Sequence, residues 1–175
     1  MKRYSCRRTN RGFALLELML AFAILAGFTL VVMRAHSSAK SGGDITTATN
    51  NLNTLVSVVR SSFSTQGNYT GLTNAAVTEA STFPEGMKNP SDSDLIRTAW
   101  NSDGVDVAPA TINSTDDGFT ITYKAGGMDK GTCIDFVNAN YKSYISTTVD
   151  GTAITGAADV APNCADGSVL VFTAT

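Results

Sequence analysis

Apolar residues fill the chain from Phe13 to Met33, 21 positions with a single carboxylate, Glu17, among them. As one helix that run spans about 32 Å, close to the roughly 30 Å of a hydrocarbon core. It has no polar face, so it requires lipid or other copies of itself as a neighbour. Gly27 is a local soft point, since Gly disfavours helix by about 1 kcal/mol against Ala. Arg34, His36 and Lys40 mark the far interface.

Beyond Ser41-Gly42-Gly43, a weak point, the pattern changes. Asp44 is placed to cap a helix. Ile45, Ala48, Leu52, Leu55, Val56, Val59 and Phe63 follow at spacings of three and four, one apolar stripe of an amphipathic helix. Asn50, Asn51, Asn53, Ser57 and Arg60 fall on its other faces. An all-apolar half and a striped half therefore stand in tandem, and the striped half needs a sheet to cover it.

Gln66-Gly67-Asn68 ends the second helical half, and residues 65–104 form a connecting region. Within it Leu72–Ala80 and Asp94–Trp100 read as short helices, and Phe83-Pro84-Glu85-Gly86 as a turn. Strand signals dominate from Val105. Phe119 to Tyr123 alternates after an Asp116-Asp117-Gly118 turn that closes a hairpin with Val107–Ile112. Thr132–Tyr144 is helical in pattern, with Cys133, Phe136, Val137 and Tyr141 on one face. Tyr144–Val149 and Thr152–Thr155 flank Asp150-Gly151 as a small hairpin. Ser168–Thr173 is apolar enough to be a central strand. The expected fold class is α+β: a long N-terminal helix on an antiparallel sheet.

Charge separates the two ends. Lys2, Arg3, Arg7, Arg8 and Arg11 precede the apolar run, and no acid occurs before Glu17, although the chain holds 15 acids against 13 basic residues. A basic head before an apolar segment is how a chain enters the inner membrane with its head inside. The acidic remainder gives no basic groove for nucleic acid. An ordinary signal anchor, or a secretory signal cut near Ser37-Ser38-Ala39, is the alternative. A 21-residue run exceeds a 7–15-residue signal core, and a carboxylate inside it is out of place. An ionised group there is costly and calls for a partner.

The remaining chemistry is sparse. His36 is the single histidine and flanks an interface, so no Ser-His-Asp or Cys-His set has its general base, and no catalytic residue is assigned. Asp92-Ser93-Asp94 lacks the third oxygen and the glycine of a calcium loop, so these acids read as solvated turns and no metal or cofactor is expected. Asn68-Tyr69-Thr70 and Asn113-Ser114-Thr115 match the glycosylation sequon, a weak signal, and Trp100 reads as core.

Basic leader, Gly12, Phe13, three apolar residues, Glu17 and a long apolar helix resemble the N-terminus of a type IV prepilin. The resemblance implies that prepilin peptidase cuts between Gly12 and Phe13 and methylates the new Phe13 amine. It implies that Glu17 neutralises the N-terminal amine of a neighbouring subunit, two charges that attract strongly once they meet in apolar surroundings. Leu16, Leu18, Leu20, Phe22, Ile24, Leu25 and Phe28 would then line the filament core. Residues 1–12 would be the leader, 13–40 the membrane and filament helix, and 41–175 the head, in which a pilin's helix packs on an antiparallel sheet.

Cys6 would leave with the leader, and an oxidising compartment would join Cys133 to Cys164, a bond worth roughly 3–4 kcal/mol for a loop of this size. Two reduced core cysteines are the alternative. A disulfide there brackets the C-terminal region as in pilins, and the helix after Cys133 and strand after Cys164 look more like the type IVb branch. The 12-residue leader, and Phe13 as first mature residue, are instead type IVa features. Residues 13–64 also lack the proline usual in type IVa. The implied function is a structural subunit polymerising into a type IV pilus for adhesion, self-association or mating contact. A type II secretion pseudopilin or a minor tip pilin is the alternative. The implied partners are other copies, prepilin peptidase, the assembly platform with its ATPase, the inner membrane before assembly, and a host or bacterial surface afterwards.

Overall fold

The computed structural model describes residues 11–124 and 126–175, and within the first helix the backbone alone at 11–14, 30, 31 and 33–41. Most of the basic leader with Cys6, and the side chains of Arg34, His36 and Lys40, lie outside that range. The chain divides into two compact units, the first ending at Gly42 and the second comprising Gly43–Thr175.

Helix α1 is Arg11–Phe63, and it includes Gly42-Gly43. Neither glycine takes the positive φ that ends helices, so Asp44 lies inside a helix and is not the N-cap its sequence position indicated. The helix stops at Phe63; Gln66 N–H donates to the Phe63 carbonyl at 3.0 Å and Gly67 turns left-handed.

In the second unit five antiparallel strands form one sheet in the order β1-β2-β5-β3-β4. They are β1 Val105–Ala110, β2 Gly118–Tyr123, β3 Ser146–Val149, β4 Thr152–Ala153 and β5 Leu170–Ala174. The hairpin β1–β2 pairs Val105 with Tyr123 and Ala110 with Gly118. β5 lies between β2 and β3, the central position its apolar run requires. Its Leu170, Phe172 and Ala174 are buried in alternation.

The stripe of α1 is buried at Ala48, Leu52, Leu55, Val59 and Phe63, with Val58 added, in one core with Phe119, Ile121 and Phe172 of the sheet. Tyr123 on β2 fixes the layers, its buried hydroxyl donating to the Ala48 carbonyl at 3.4 Å. Phe136 sits among Trp100, Tyr123 and Phe172 with ring centroids 5.0–5.7 Å apart in edge-on geometry. The half-buried Trp100 thus packs on the core.

Shorter helices cover the rest. They are α2 Asn74–Thr78, α3 Lys130–Asn140 and α4 Ala157–Asn163. Asp94–Trp100 forms no helix. Ile96, fully buried, makes isolated bridges to Lys88 and Val105, and the Thr98 hydroxyl accepts from Trp100 and Asn101 N–H groups in a turn. Side-chain turn bonding and burial of one residue outweigh a modest helix propensity. The expected Phe83–Gly86 turn passes into a 3-10 turn, Glu85–Met87. Gly127 is left-handed, and a Cβ there would collide with the Trp100 carbonyl, so this close approach requires glycine.

Candidate assembly surfaces

The first surface is the N-terminal part of α1. Leu15, Leu16, Leu18, Met19, Leu20, Phe22, Ile24, Leu25, Phe28 and Val32 are all more than half exposed, from 56% at Val32 to 69% at Leu16 and Phe28. They occupy every face, so no rotation of the helix hides them from water. Leu25, Phe28, Thr29 and Val32 line a wholly apolar groove along it. Thr29 adds no polar demand, its hydroxyl donating to the Ala26 carbonyl at 2.9 Å. An apolar patch of this extent marks a contact surface. Among the described residues no helix is long and apolar enough to cross a membrane. The run from Phe13 to Met33 exceeds the described side chains at both ends.

The seven predicted filament-core residues all lie on this surface. Glu17 is exposed among them. Gly12 and Phe13 fall in the first turn of α1, and the Phe13 side chain is outside the described set. Leu15, Met19 and Val32 are similarly exposed on the same surface. The continuous run already contained that information.

The second surface surrounds the disulfide. Cys133 of α3 is bonded to Cys164, which follows α4, with Cα atoms 5.9 Å apart and a sequence separation of 31. Both are buried. The bond encloses β3, β4 and α4 in one covalent loop.

Carboxylates fix its helices. Asp129 caps α3, accepting from Thr132 N–H at 2.9 Å and from the Thr132 hydroxyl at 3.0 Å, and these bonds hold its carboxyl below the usual range. Asp159 accepts from the Thr155 hydroxyl and from the N–H groups of Thr155 and Gly156, which lowers it likewise. Helix α4 escapes a pattern-based reading because Gly156 precedes it and Pro162 lies within it. Asp117 organises the β1–β2 turn, accepting from N–H groups of Ile112, Asn113 and Ser114 and also lowered.

Near the close of α3, Ile145 is 55% exposed beside Tyr144. Burial pushes the Tyr144 phenol up to about 12. Lys124 bridges Asp103 at 2.7 Å and Asp106 at 3.0 Å. Burial works against its charge, but the two carboxylates outweigh this and raise it. Among the described residues no group of three or more His, Cys, Asp or Glu is placed to hold a metal.

The sequence of residues 43–175 matches the family described as PilS N terminal. The match begins just after the exposed apolar segment. No curated protein sequence matches the chain. Solved structures that share its fold include two pilins. One is TcpA, a type IV pilin of the Vibrio cholerae El Tor biotype, with TM-score 0.50, 15% identity, and coverage of 76% of this chain and 99% of that one. The other is a type IVb pilin of Salmonella typhi, with TM-score 0.51, 22% identity, and coverage of 75% and 97%. Helix on antiparallel sheet, disulfide near the C-terminal strand, and family match agree: the chain belongs to the PilS family, a type IV pilin by family and fold, and is a structural subunit and not an enzyme.

Proposed function

We propose that this pilin is made as an inner-membrane prepilin and polymerises into an extracellular type IV pilus through the apolar part of α1. One observation carries the reading: ten large apolar side chains are exposed all round the helix, and a single carboxylate, Glu17, stands among them. In the membrane those side chains face lipid. In a fibre they face copies of themselves through a heterologous, non-closing contact. Cleavage between Gly12 and Phe13 frees an amine, methylated on Phe13, that pairs with Glu17 of a neighbour. A charge kept in an apolar core is tolerated when it gains such a partner, and the pairing then sets the register.

Exposed loops of residues 65–104 and the region enclosed by Cys133–Cys164 form the outer surface in this arrangement. Adhesion, self-association or mating contact would act there.

Intact mass and N-terminal sequencing of material sheared from the surface of expressing cells test the reading. Filaments whose subunit begins with N-methylated Phe13 are expected. A full-length chain, or one cut after Ala39 and found only in membrane or periplasm, overturns it. Glu17→Ala is expected to abolish filaments while the head folds as before; normal piliation by that variant removes Glu17 from assembly.

A further inference from the structure

Strand β1 is an edge of the head's sheet. An edge strand ordinarily offers unpaired N–H and C=O groups, a template for the strand of another molecule. Here the outward N–H groups, and the Val105 carbonyl, are taken. Val105 N–H donates to the Ile96 carbonyl at 3.1 Å. Asn74 Nδ2 donates to the Val105 carbonyl at 3.0 Å, and Asn74 Oδ1 accepts from Val107 N–H at 2.8 Å. The next outward residue is Pro109, which has no N–H to give.

The carboxamide of Asn74 has the donor and acceptor of a peptide group, and it pairs with β1 as a strand residue would. Its orientation is determined. Nδ2 also donates to Asp106 Oδ1 at 3.0 Å, and a carboxylate only accepts, so a flipped amide would set oxygen against oxygen. Lys124 holds Asp106 in turn, and Asp103 holds Lys124.

We propose that Asn74 and Pro109 guard the β1 edge against a second copy of this chain, so that crowded heads meet through their faces and not by strand addition. Substituting the guard frees the Val105 carbonyl and the Val107 N–H and permits antiparallel pairing of β1 with β1. The proposal depends on the head fold and stands whether or not the filament reading does.

The test uses the full chain in detergent micelles with Cys6→Ser and Ala108→Cys, which places one reporter thiol on the exposed face of β1. A short bismaleimide is applied across a concentration series. Adding Asn74→Ala with Pro109→Thr is expected to raise cross-linked dimer about tenfold and to speed exchange of the Val107 amide by a similar factor. Cross-linking at the parent level, in a variant that still unfolds cooperatively and keeps the Cys133–Cys164 bond, overturns the proposal. Asn74→Ser, which removes the two-point contact but keeps a polar residue at the start of α2, is read by the same criterion if the first variant does not fold. The parent chain supplies an independent check: a Val107 amide exchanging as fast as an exposed loop amide overturns the proposal with no guard residue substituted.

Discussion

Asn140, at the last turn of α3, donates through Nδ2 to the Thr49 hydroxyl at 3.1 Å and to the Phe136 carbonyl at 2.8 Å. The residue is buried, and the Thr49 contact bridges 91 positions of sequence, joining α3 to the striped part of α1. It is a polar tie beside the apolar core that the two helices share, so its loss should be felt across the head. Asn140→Leu is expected to destabilise by about 1–3 kcal/mol, because Thr49 loses its donor and the Phe136 carbonyl its second bond. Thr49→Val should cost less, since Nδ2 keeps the Phe136 carbonyl. Thermal unfolding of both singles and the double variant measures the coupling, and an additive double would show that the contact contributes nothing.

The parts of the fold that follow from local periodicity are legible in the sequence. The stripe from Ala48 to Phe63, the β1–β2 hairpin and the central β5 each bury one face, and each face is written at a fixed spacing. What escapes is written between distant residues. Asp94–Trp100 has helical composition, yet Ile96 is drawn into bridges on both sides. Val58 is buried outside the stripe because the core covers a wider arc of α1 than a single line of apolar residues indicates. Helix α4 depends on Asp159 reaching back to Thr155 and Gly156, against the turn signals of Gly156 and Pro162. The same division holds at the assembly surface. An apolar run with one carboxylate is visible by itself, whereas Asn74 gains meaning only from partners 31 to 33 residues away.

The disulfide should carry a large share of the head's stability. Closing the loop between Cys133 and Cys164, 31 residues apart, restricts the unfolded chain by roughly 3–4 kcal/mol. Cys133→Ser with Cys164→Ser is expected to lower the urea midpoint by a corresponding amount. Urea titrations with and without reductant check this. An unchanged midpoint on confirmed reduction would place the stability of the C-terminal region in α3 and β5 packing alone.

Acid should loosen the caps together. Asp129, Asp159 and Asp117 all have lowered carboxyls in the folded chain, held by N–H and hydroxyl donors. A folded pKa below the unfolded value stabilises fully above the unfolded value, about 3.9, and that stabilisation is lost as pH falls through the folded one. These three groups therefore predict no change in stability between pH 5 and 8 and a decline below about 4. Asp129→Asn or Asp159→Asn should flatten the decline while lowering the plateau. Urea midpoints measured from pH 2.5 to 8 distinguish this from a loss beginning near pH 6, which these carboxylates cannot produce.

Thr147 gives the opposite sign. On β3 it is 2% exposed, and its hydroxyl has no hydrogen-bond partner among the described residues. A buried hydroxyl without a partner retains its desolvation cost, whereas valine keeps the branched shape and the strand preference. Thr147→Val is expected to stabilise the head by about 1 kcal/mol, raising the melting temperature by roughly 2–6 °C. Thr148, half-buried on the opposite face of the same strand, is the control, and Thr148→Val should shift the midpoint little. A loss of stability in Thr147→Val would show that the Thr147 hydroxyl is satisfied in the folded protein, by a bound water if not by the chain.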